Sequence, residues 1–479
     1  LRWYCFLLLL YAISRQKSTI CCDRAINIIT KKPEKKSMTV GVATNSREMS
    51  NYYHFDSGKD GKLSAAFDAN FTKVRYFKWD DANMSKYFGP TQNYSLDVDY
   101  EMDQNNSLNL YLDYENTNQQ FKKFTSASGP FSYLGIYNVD RKSASLTYNG
   151  QNDNSNYMLS ATYGELKKDV TSAMSANSVG SSKFNFWNIE ARDTIKLDSN
   201  NRLTFGGEFR TDSRKDSSID ESSDQYSLFI HDELKLGEKL LLIPAVRYDH
   251  HDSFGSETSP NIGATYSFTE ASRLKANYGE GYRAPSISEL YGTYSNPNLR
   301  PEKSKGYELS YEQEFGDDTA VKLTYFKNKK TDAIAMDYSL APNYQYMNIE
   351  KSSSEGVEFE IKHDLGNGFT VIGNYDYLDA MNDKTNTRLN YSARNTYTAK
   401  LMWTEPVKQE WNITAWNKWY SDYRADSEDH SINTFNFVIN KRWGDKYRAY
   451  AGIDNLFDKK ITSMRYSGRL WRVGAEMTF

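Results

Sequence analysis

Polar and apolar residues alternate with a period of two along most of the chain after Ser37. The clearest example is a pair of runs on either side of residues 103–106. Their apolar positions are Tyr94, Leu96, Val98, Tyr100 and Met102 in the first run, and Leu108, Leu110, Leu112 and Tyr114 in the second. Because successive side chains of a strand point to opposite faces, these runs predict a hairpin with one apolar face.

The same pattern recurs around other short polar turns, at residues 237–239, 269–272, 316–318, 366–368, 405–409 and 443–445. Long polar segments, which we predict to be loops, alternate with the short turns and lie at residues 78–91, 116–139, 167–183, 281–303, 329–354 and 379–389. Short turns alternating with long loops are typical of outer-membrane barrels. At about 20 residues per strand and connection, the chain accommodates about 22 strands. We therefore predict an all-β fold, a transmembrane antiparallel β-barrel of about 22 strands.

Composition is consistent with a barrel and excludes other classes. The mean hydropathy is -0.75, and no apolar run approaches the roughly 20 residues of a spanning helix, so a helical membrane protein is excluded. Aromatic residues make up 15% of the chain, which suits interfacial girdles. A soluble sandwich is the alternative, but it does not produce so regular a rhythm of short and long connections. The net charge of -3 gives nucleic-acid binding no electrostatic support, so we predict no such partner.

The last residues alternate in the same way and end on an aromatic residue. One face carries Trp471, Val473, Ala475, Met477 and Phe479. A terminal aromatic strand of this kind resembles the assembly signal that the outer-membrane insertion machinery reads. We therefore predict that machinery as a partner of the chain.

Two boxes lie close together in the middle of the chain. Arg283-Ala-Pro285 is followed by Asn296-Pro-Asn-Leu-Arg-Pro-Glu302, and residues 305–311 then begin a new alternating run. This order resembles the external-loop signature of TonB-dependent outer-membrane receptors. Residues 451–458, Ala-Gly-Ile-Asp-Asn-Leu-Phe-Asp, resemble the penultimate strand and loop of that family, and residues 25–33 resemble the end of its plug domain. The resemblance runs from residue 25 to residue 479.

The resemblance implies three segments: the receptor barrel at residues 37–479, a remnant of the plug domain at 25–36, and an unassigned, foreign or misread segment at 1–24. The family's plug would precede residue 25, so we expect either a fragment or misread start, or a natural plugless or split protein. The three cysteines, Cys5, Cys21 and Cys22, all lie in the first segment. The remainder of the sequence therefore has no disulfide framework or zinc pattern, and we predict no cofactor.

The candidate ligand contacts lie in the signature loop: Tyr282, Arg283, Tyr291, Tyr294, Asn296, Asn298 and Arg300. Aromatic faces mixed with fixed hydrogen-bond donors suit the capture of a bulky chelate. The structural alternative is that Pro285, Pro297 and Pro301 only shape the loop. Haem receptors of the family usually carry a histidine between the two boxes, and residues 284–297 contain none. The resemblance therefore favours a siderophore or a corrinoid over haem.

Other candidate sites are weaker. Residues 249–252 read Asp-His-His-Asp, but strand alternation places His250 and His251 on opposite faces, so we predict no metal site there. Carboxylates crowd another predicted loop but match no calcium-loop spacing; they are Asp212, Asp216, Asp220, Glu221 and Asp224. The sequence contains no catalytic motif that we recognise, so we predict that the protein is not an enzyme.

Together these features indicate an outer-membrane transporter for a ferric siderophore or a cobalamin-type chelate in a diderm bacterium. The resemblance implies the TonB-ExbB-ExbD energy-transducing complex as a partner, together with outer-membrane lipid and lipopolysaccharide. Two alternatives stay open. A barrel without its plug would be a passive diffusion channel. A barrel protease or lipase is disfavoured by the missing motif and by the length of the chain.

Overall fold

The computed structural model describes residues 35–74, 85–125, 131–172, 179–337, 344–425, 428–461 and 466–479. The unassigned segment at 1–24 and its three cysteines lie outside these ranges, as does the predicted plug remnant apart from its last two residues. Within the described part of the chain, no helix is long and apolar enough to cross a membrane.

The described elements are almost all strands. In chain order they are β1 (Lys36–Asn45), β2 (Glu48–Asp60), β3 (Leu63–Val74), β4 (Ser85–Glu101), β5 (Asn106–Thr125), β6 (Phe131–Gln151), β7 (Ser155–Ser172), β8 (Gly180–Lys196), β9 (Asn201–Lys215), β10 (Asp220–Leu236), β11 (Leu240–His251), β12 (Gly255–Thr269), β13 (Ser272–Arg283), the helix α1 (Ile287–Tyr291), β14 (Glu302–Phe315), β15 (Thr319–Asp337), β16 (Gln345–Gly366), β17 (Phe369–Asn382), β18 (Thr387–Arg388), β19 (Ser392–Thr404), β20 (Trp411–Ala425), β21 (Glu428–Trp443), β22 (Tyr447–Asp454), β23 (Lys460–Ile461), β24 (Tyr466–Ser467) and β25 (Leu470–Thr478).

The strands form one closed barrel. Each barrel strand pairs antiparallel with the next, and β1 closes the ring against β25, from Thr39 opposite Thr478 to Asn45 opposite Arg472. Three of the described strands are not part of the barrel wall: β18 is a two-residue strand beside β17, and β23 and β24 pair only with each other. The other strands make a 22-stranded antiparallel barrel, so the predicted fold is confirmed.

The two faces of the barrel wall differ as the sequence predicts. On the hairpin of β4 and β5, Tyr100 and Leu110 are exposed on the outer surface. Asp99 and Asn109 lie on the other face and are buried, with Asn109 Nδ2 donating to Asp99 Oδ1 at 3.2 Å. Apolar side chains therefore face the position of lipid, and polar side chains that hydrogen-bond one another line the lumen.

All seven predicted short turns are confirmed and lie at one end of the barrel, which we call the short-turn end. The predicted long loops lie at the opposite end of the barrel, which we call the long-loop end. Most of them are shorter in the structure than predicted. For example, β5 continues to Thr125 and β6 begins at Phe131, so the strands occupy most of residues 116–139. The strands bounding the segments at 78–91, 167–183, 329–354 and 379–389 also extend into them. The backbone pairing of these strands therefore continues beyond the point at which the alternation of polar and apolar residues ends.

A ring of aromatic side chains surrounds the outer surface. Neighbouring strands contribute contacting rings, with centroids 4.9 Å apart for Tyr163 and Trp187 and for Tyr397 and Trp419. Tyr278 and Tyr307 form a similar pair, also at 4.9 Å. These rings lie about 7 to 10 residues above the short turns, close to the length that a membrane-crossing strand needs. The ring is therefore an aromatic girdle at the boundary nearer the long-loop end.

Candidate functional site

The loop between β13 and β14, residues 284–301, contains the short helix α1. Ser286 caps this helix: its Oγ accepts from the backbone N–H of Glu289 at 3.3 Å, and its own N–H donates to the Glu289 carboxylate at 2.7 Å. This reciprocal pair is a capping box, which satisfies two backbone donors that the helix itself leaves unpaired. Ile287 and Leu290 are buried beneath it. A Ser-x-x-Glu spacing with two apolar anchors thus fixes the first half of the loop.

The C-terminal end of α1 rests on the hairpin of β9 and β10. Ile219 of that hairpin is buried, and a Cβ added at Gly292 would lie 3.3 Å from Ile219 Cδ1 and 2.6 Å from the carbonyl oxygen of Ser288. A side chain at Gly292 would therefore push the loop off the hairpin. Arg214 adds a polar contact by donating from Nη1 to Ser288 Oγ.

A cluster of charged groups ties the two ends of the loop together. Arg283, the last residue of β13, donates from Nη1 to Glu289 Oε2 at 3.0 Å and from Nη2 to Glu302 Oε1 at 2.9 Å. Glu302, the first residue of β14, also accepts from the N–H of Ile334 at 2.8 Å. Its Oε2 lies 2.9 Å from Arg283 Nε and 2.7 Å from Lys330 Nζ. We call these five residues the loop-base cluster.

The loop-base cluster is charged at neutral pH. Burial would raise the pKa of the Glu302 carboxyl, but hydrogen bonds from Arg283, Lys330 and a backbone N–H outweigh burial and lower the pKa to about 2. Burial would lower the pKa of Arg283, but the two glutamates raise it further above its usual range. Since its donors face Glu289 and Glu302, Arg283 holds the loop in place.

Asn296 fastens the second half of the loop to β16. Its side chain is only 9% exposed, and its Nδ2 donates to the carbonyl oxygen of Tyr346 at 2.9 Å. Its Oδ1 accepts from the N–H of Asn298 at 3.0 Å. The N–H of Tyr346 also donates to the carbonyl oxygen of Tyr294, at 2.9 Å. Asn296 is therefore a structural residue, whereas the neighbouring Asn298 is exposed.

The backbone of Arg300 is held by hydrogen bonds, whereas its side chain is exposed. Its N–H donates to Asn348 Oδ1 at 2.9 Å, and its carbonyl oxygen accepts from Asn348 Nδ2 at 2.8 Å. The side chain is 70% exposed and donates from Nη2 to Asp332 Oδ1 at 2.6 Å. An ion pair this exposed stabilises little, so the guanidinium can turn towards an anion at small cost.

The remaining candidates are aromatic. Tyr291 and Tyr294 are 38% and 49% exposed, and the ring of Tyr294 lies 5.9 Å from that of Tyr344. Tyr282 is held from two sides, because its hydroxyl accepts from Gln225 Nε2 at 3.3 Å and its ring meets Phe254 edge-on at 5.9 Å. The structure therefore presents Tyr291, Tyr294, Asn298 and Arg300 on the surface of the loop and uses Arg283 and Asn296 to hold it.

Sequence reasoning missed the residues that receive the loop. The capping glutamate, Glu289, had a readable signal in the Ser-x-x-Glu spacing. Glu302 lies inside the second box but has no local feature that predicts its burial. Asn348, Tyr346 and Ile219 lie far away in the sequence, and no spacing predicts that they contact the loop.

The two adjacent histidines lie on opposite faces, as predicted. His250 is exposed and its Nδ1 is 2.9 Å from Ser256 Oγ. His251 is buried, with Nε2 2.9 Å from Ser223 Oγ, and burial lowers its pKa. The two imidazoles therefore do not converge on one point.

The crowded carboxylates lie on the hairpin of β9 and β10, and several of them form ion pairs with basic residues of that hairpin. Asp212 pairs with Arg210 at 2.6 Å and Asp216 with Arg214 at 2.9 Å. Asp216 also accepts from the N–H groups of Ser218 and Ile219, which shapes the turn. Across the described ranges, no group of three or more His, Cys, Asp or Glu side chains is arranged to hold a metal ion.

The C-terminal strand has the predicted face. Trp471, Val473 and Phe479 are exposed on the outer surface, Phe479 to 66%. The N–H of Phe479 donates to the carbonyl oxygen of Met38 at 2.9 Å, so the last residue helps to close the barrel. The role of Trp471, Val473, Met477 and Phe479 as an assembly signal stays a prediction.

Comparison with known proteins places this architecture in one family. Residues 38–456 match the family model described as TonB dependent receptor-like, beta-barrel. The ferric enterobactin receptor of Pseudomonas aeruginosa is 28% identical over 295 residues, a match that covers 52% of this chain and 39% of that protein. The chain thus aligns with less than half the length of this curated relative.

Solved structures have the same fold at low sequence identity. A mutant ferric enterobactin receptor of Pseudomonas aeruginosa, in complex with enterobactin, superposes with a TM-score of 0.82 and 19% identity and covers 95% of this chain and 83% of its own. The siderophore receptor PirA from Acinetobacter baumannii gives a TM-score of 0.78 at 18% identity, covering 95% and 82%. Because the family model matches most of its length, the chain belongs to the TonB dependent receptor-like β-barrel family, whose members are outer-membrane proteins.

Proposed function

We propose that this chain is the barrel of a receptor that takes up a ferric siderophore of the catecholate class across the outer membrane. The observation that carries the proposal is the 28% identity over 295 residues to a protein named for ferric enterobactin. The proteins named above include no cobalamin receptor, so the cobalamin alternative has no comparable support. The proposed role is binding and transport without catalysis.

The exposed side chains of the signature loop suit such a ligand. A ferric tris-catecholate carries aromatic rings and a net negative charge. The rings of Tyr291 and Tyr294 offer apolar faces for stacking. The guanidinium of Arg300 offers fixed hydrogen-bond donors for anionic oxygens. Because its ion pair with Asp332 is exposed and weak, the guanidinium can leave Asp332 and bind the ligand with little loss of free energy.

The loop is also held ready for binding. The loop-base cluster and Asn296 fix its two halves before any ligand arrives, so binding does not have to order the backbone. In the intact receptor we propose that the TonB-ExbB-ExbD complex supplies the energy for release into the periplasm. This part of the proposal rests on family membership.

Direct titration of the purified chain tests the ligand class. The chain contains nine tryptophans, so quenching of their fluorescence can report binding in detergent micelles. We expect ferric enterobactin to bind at least about tenfold more tightly than a ferric hydroxamate or cyanocobalamin, because only the catecholate combines three aromatic rings with negative charge.

Two outcomes would reject the proposal. Tighter binding of cyanocobalamin would restore the corrinoid alternative. Failure of all three chelates to bind a correctly folded barrel, together with steady conductance in a planar bilayer, would favour the passive channel.

A further inference from the structure

The outer surface carries an unusual pair of lysines just above the aromatic girdle. Lys305 of β14 and Lys329 of β15 are directly opposite each other in the strand register. Directly opposed side chains on one face have Cβ atoms only about 4.5 to 5.5 Å apart, and like charges in this position are destabilising. Lys327 follows on the same face of β15, opposite Tyr307. Three ammonium groups therefore lie within two neighbouring strands.

Two of these three lysines form an ion pair with a carboxylate. Lys305 pairs with Glu280 at 2.8 Å, on the side of β14 away from β15. Lys327 pairs with Glu355 at 2.6 Å, on the side of β15 away from β14. Lys329 is exposed and, among the residues that the structure describes, has no ion-pair partner within 4.0 Å. Glu355 is also close enough to interact electrostatically with Lys329, and Asp383 with Lys327, but neither carboxylate forms an ion pair with Lys329. Among the three lysines, Lys329 is therefore the one without a direct carboxylate partner in the described part of the chain.

A second pair of directly opposed lysines differs from the first in its carboxylate partners. Lys167 of β7 faces Lys183 of β8 on the same outer surface, also above the girdle. Here each lysine has its own carboxylate, Asp169 at 3.0 Å and Glu165 at 2.8 Å respectively. Each lysine of that pair therefore has its own carboxylate, whereas Lys329 in the pair on β14 and β15 has none within 4.0 Å among the described residues.

The residues below the lysines are apolar. Along β14 the outer face continues from Lys305 to Tyr307 and Leu309, and along β15 it continues from Lys327 to Tyr325 and Leu323. These four apolar or aromatic side chains are exposed. Lys305 and Lys329 lie about ten residues above the short turns, where the hydrocarbon layer gives way to headgroups. One column thus has cations at headgroup depth and an apolar surface beneath them.

We propose that Lys305, Lys327 and Lys329 bind the phosphate group of a lipid in the outer leaflet, whose acyl chains lie along Leu309 and Leu323. The bound phosphate relieves the repulsion between Lys305 and Lys329. The hydroxyl-bearing rings of Tyr307 and Tyr325 sit between head and tail, as amphipathic rings do at membrane interfaces. This inference is independent of the siderophore and of the signature loop.

The experiment compares lipids and variants on the full chain in neutral detergent. Native mass spectrometry measures retention of diphosphorylated lipid A, of the same lipid after removal of its phosphates, and competition by inorganic phosphate. The test variant is K305Q/K329Q, and the matched control is K239Q/K408Q, which removes two lysines at the short-turn end. Heat-modifiable migration on a gel checks that each variant is folded.

We expect K305Q/K329Q to weaken binding of diphosphorylated lipid A by roughly 20-fold, given the usual contribution of a lysine near an anionic surface. K305R/K329R should retain binding, and the control should match the unmodified chain. Three results would overturn the proposal: equal binding of the dephosphorylated lipid, equal loss in both glutamine variants, or complete displacement of the lipid by millimolar inorganic phosphate. The last would indicate a site for soluble anions.

Discussion

Arg283 and Glu302 are a directly opposed pair across β13 and β14, and their side chains meet with Nη2 2.9 Å from Oε1. This pair closes the base of the signature loop. Glu302 is 3% exposed, so its charge depends on Arg283, Lys330 and the N–H of Ile334 for the solvation that water would otherwise provide. The shape of the proposed ligand surface therefore depends on residues that the ligand does not touch.

Replacing Glu302 with glutamine should loosen the loop without unfolding the barrel. The substitution keeps the size of the side chain but leaves Arg283 and Lys330 without their shared anion. We expect amide hydrogen exchange in residues 284–301 to accelerate by about 100-fold, the usual consequence of breaking a buried ion pair. E314Q, a similar change at the exposed short-turn end, should leave exchange in the loop unchanged. Equal protection of the loop in E302Q and E314Q would contradict this account.

The loop should also loosen in acid. The pKa of Glu302 is lowered from its ordinary 4.5 to about 2, so its charge favours the docked loop fully above pH 4.5. That contribution is lost as the pH falls from 4.5 towards 2. Hydrogen exchange, corrected for the intrinsic effect of pH, should therefore rise in the loop between pH 5 and pH 3. The E302Q variant should show no such rise, and a rise of the same size in E302Q would assign the effect to another group.

Asn296 and Asn298 offer a matched pair of substitutions two residues apart. N296A removes the hydrogen bond from the buried Asn296 side chain to the carbonyl oxygen of Tyr346, which should destabilise the docked loop by about 1 to 3 kcal/mol. N298A removes an exposed amide and should not affect docking. Hydrogen exchange at residues 345–348 distinguishes them, since only N296A should increase it. An equal increase in both variants would mean that Asn296 does not hold the loop.

The C-terminal strand should matter for assembly. W471S/F479S removes two exposed aromatic side chains from the lipid face of the strand that closes the barrel. We expect a smaller fraction of heat-modifiable, folded protein in outer membranes. F457S is the control, because Phe457 is about as exposed as Phe479 but lies outside the terminal strand, at the long-loop end. If F457S lowered the folded fraction as much as W471S/F479S, a specific role for the terminal strand would be wrong.

The barrel was predictable because its signal is local. Alternation such as that from Tyr94 to Met102 marks each strand, and short polar turns mark its lower end. Above the membrane this signal fails, since residues 116–120 of β5 are polar at every position and resemble a loop in sequence. Strand pairing there depends on backbone hydrogen bonds, which no residue pattern reports.

The candidate site was predictable only in part. The two boxes located the loop, and the exposed Tyr291, Tyr294 and Arg300 are among the predicted residues. Which candidates hold the loop depends on long-range contacts, such as that of Asn296 with Tyr346. These contacts follow from the register between distant strands, so sequence spacing could not separate Asn296 from Asn298.

The affinity of the purified chain for ferric enterobactin, measured before and after Y291A/Y294A/R300A, tests the proposed function most directly. These substitutions remove exposed side chains and spare the loop-base cluster and Asn296, so the loop should stay docked. The account predicts that the unmodified chain binds and that the triple variant binds at least about 30-fold more weakly, through loss of two stacking rings and one cation. Undiminished binding by a triple variant whose loop remains protected from hydrogen exchange would contradict it.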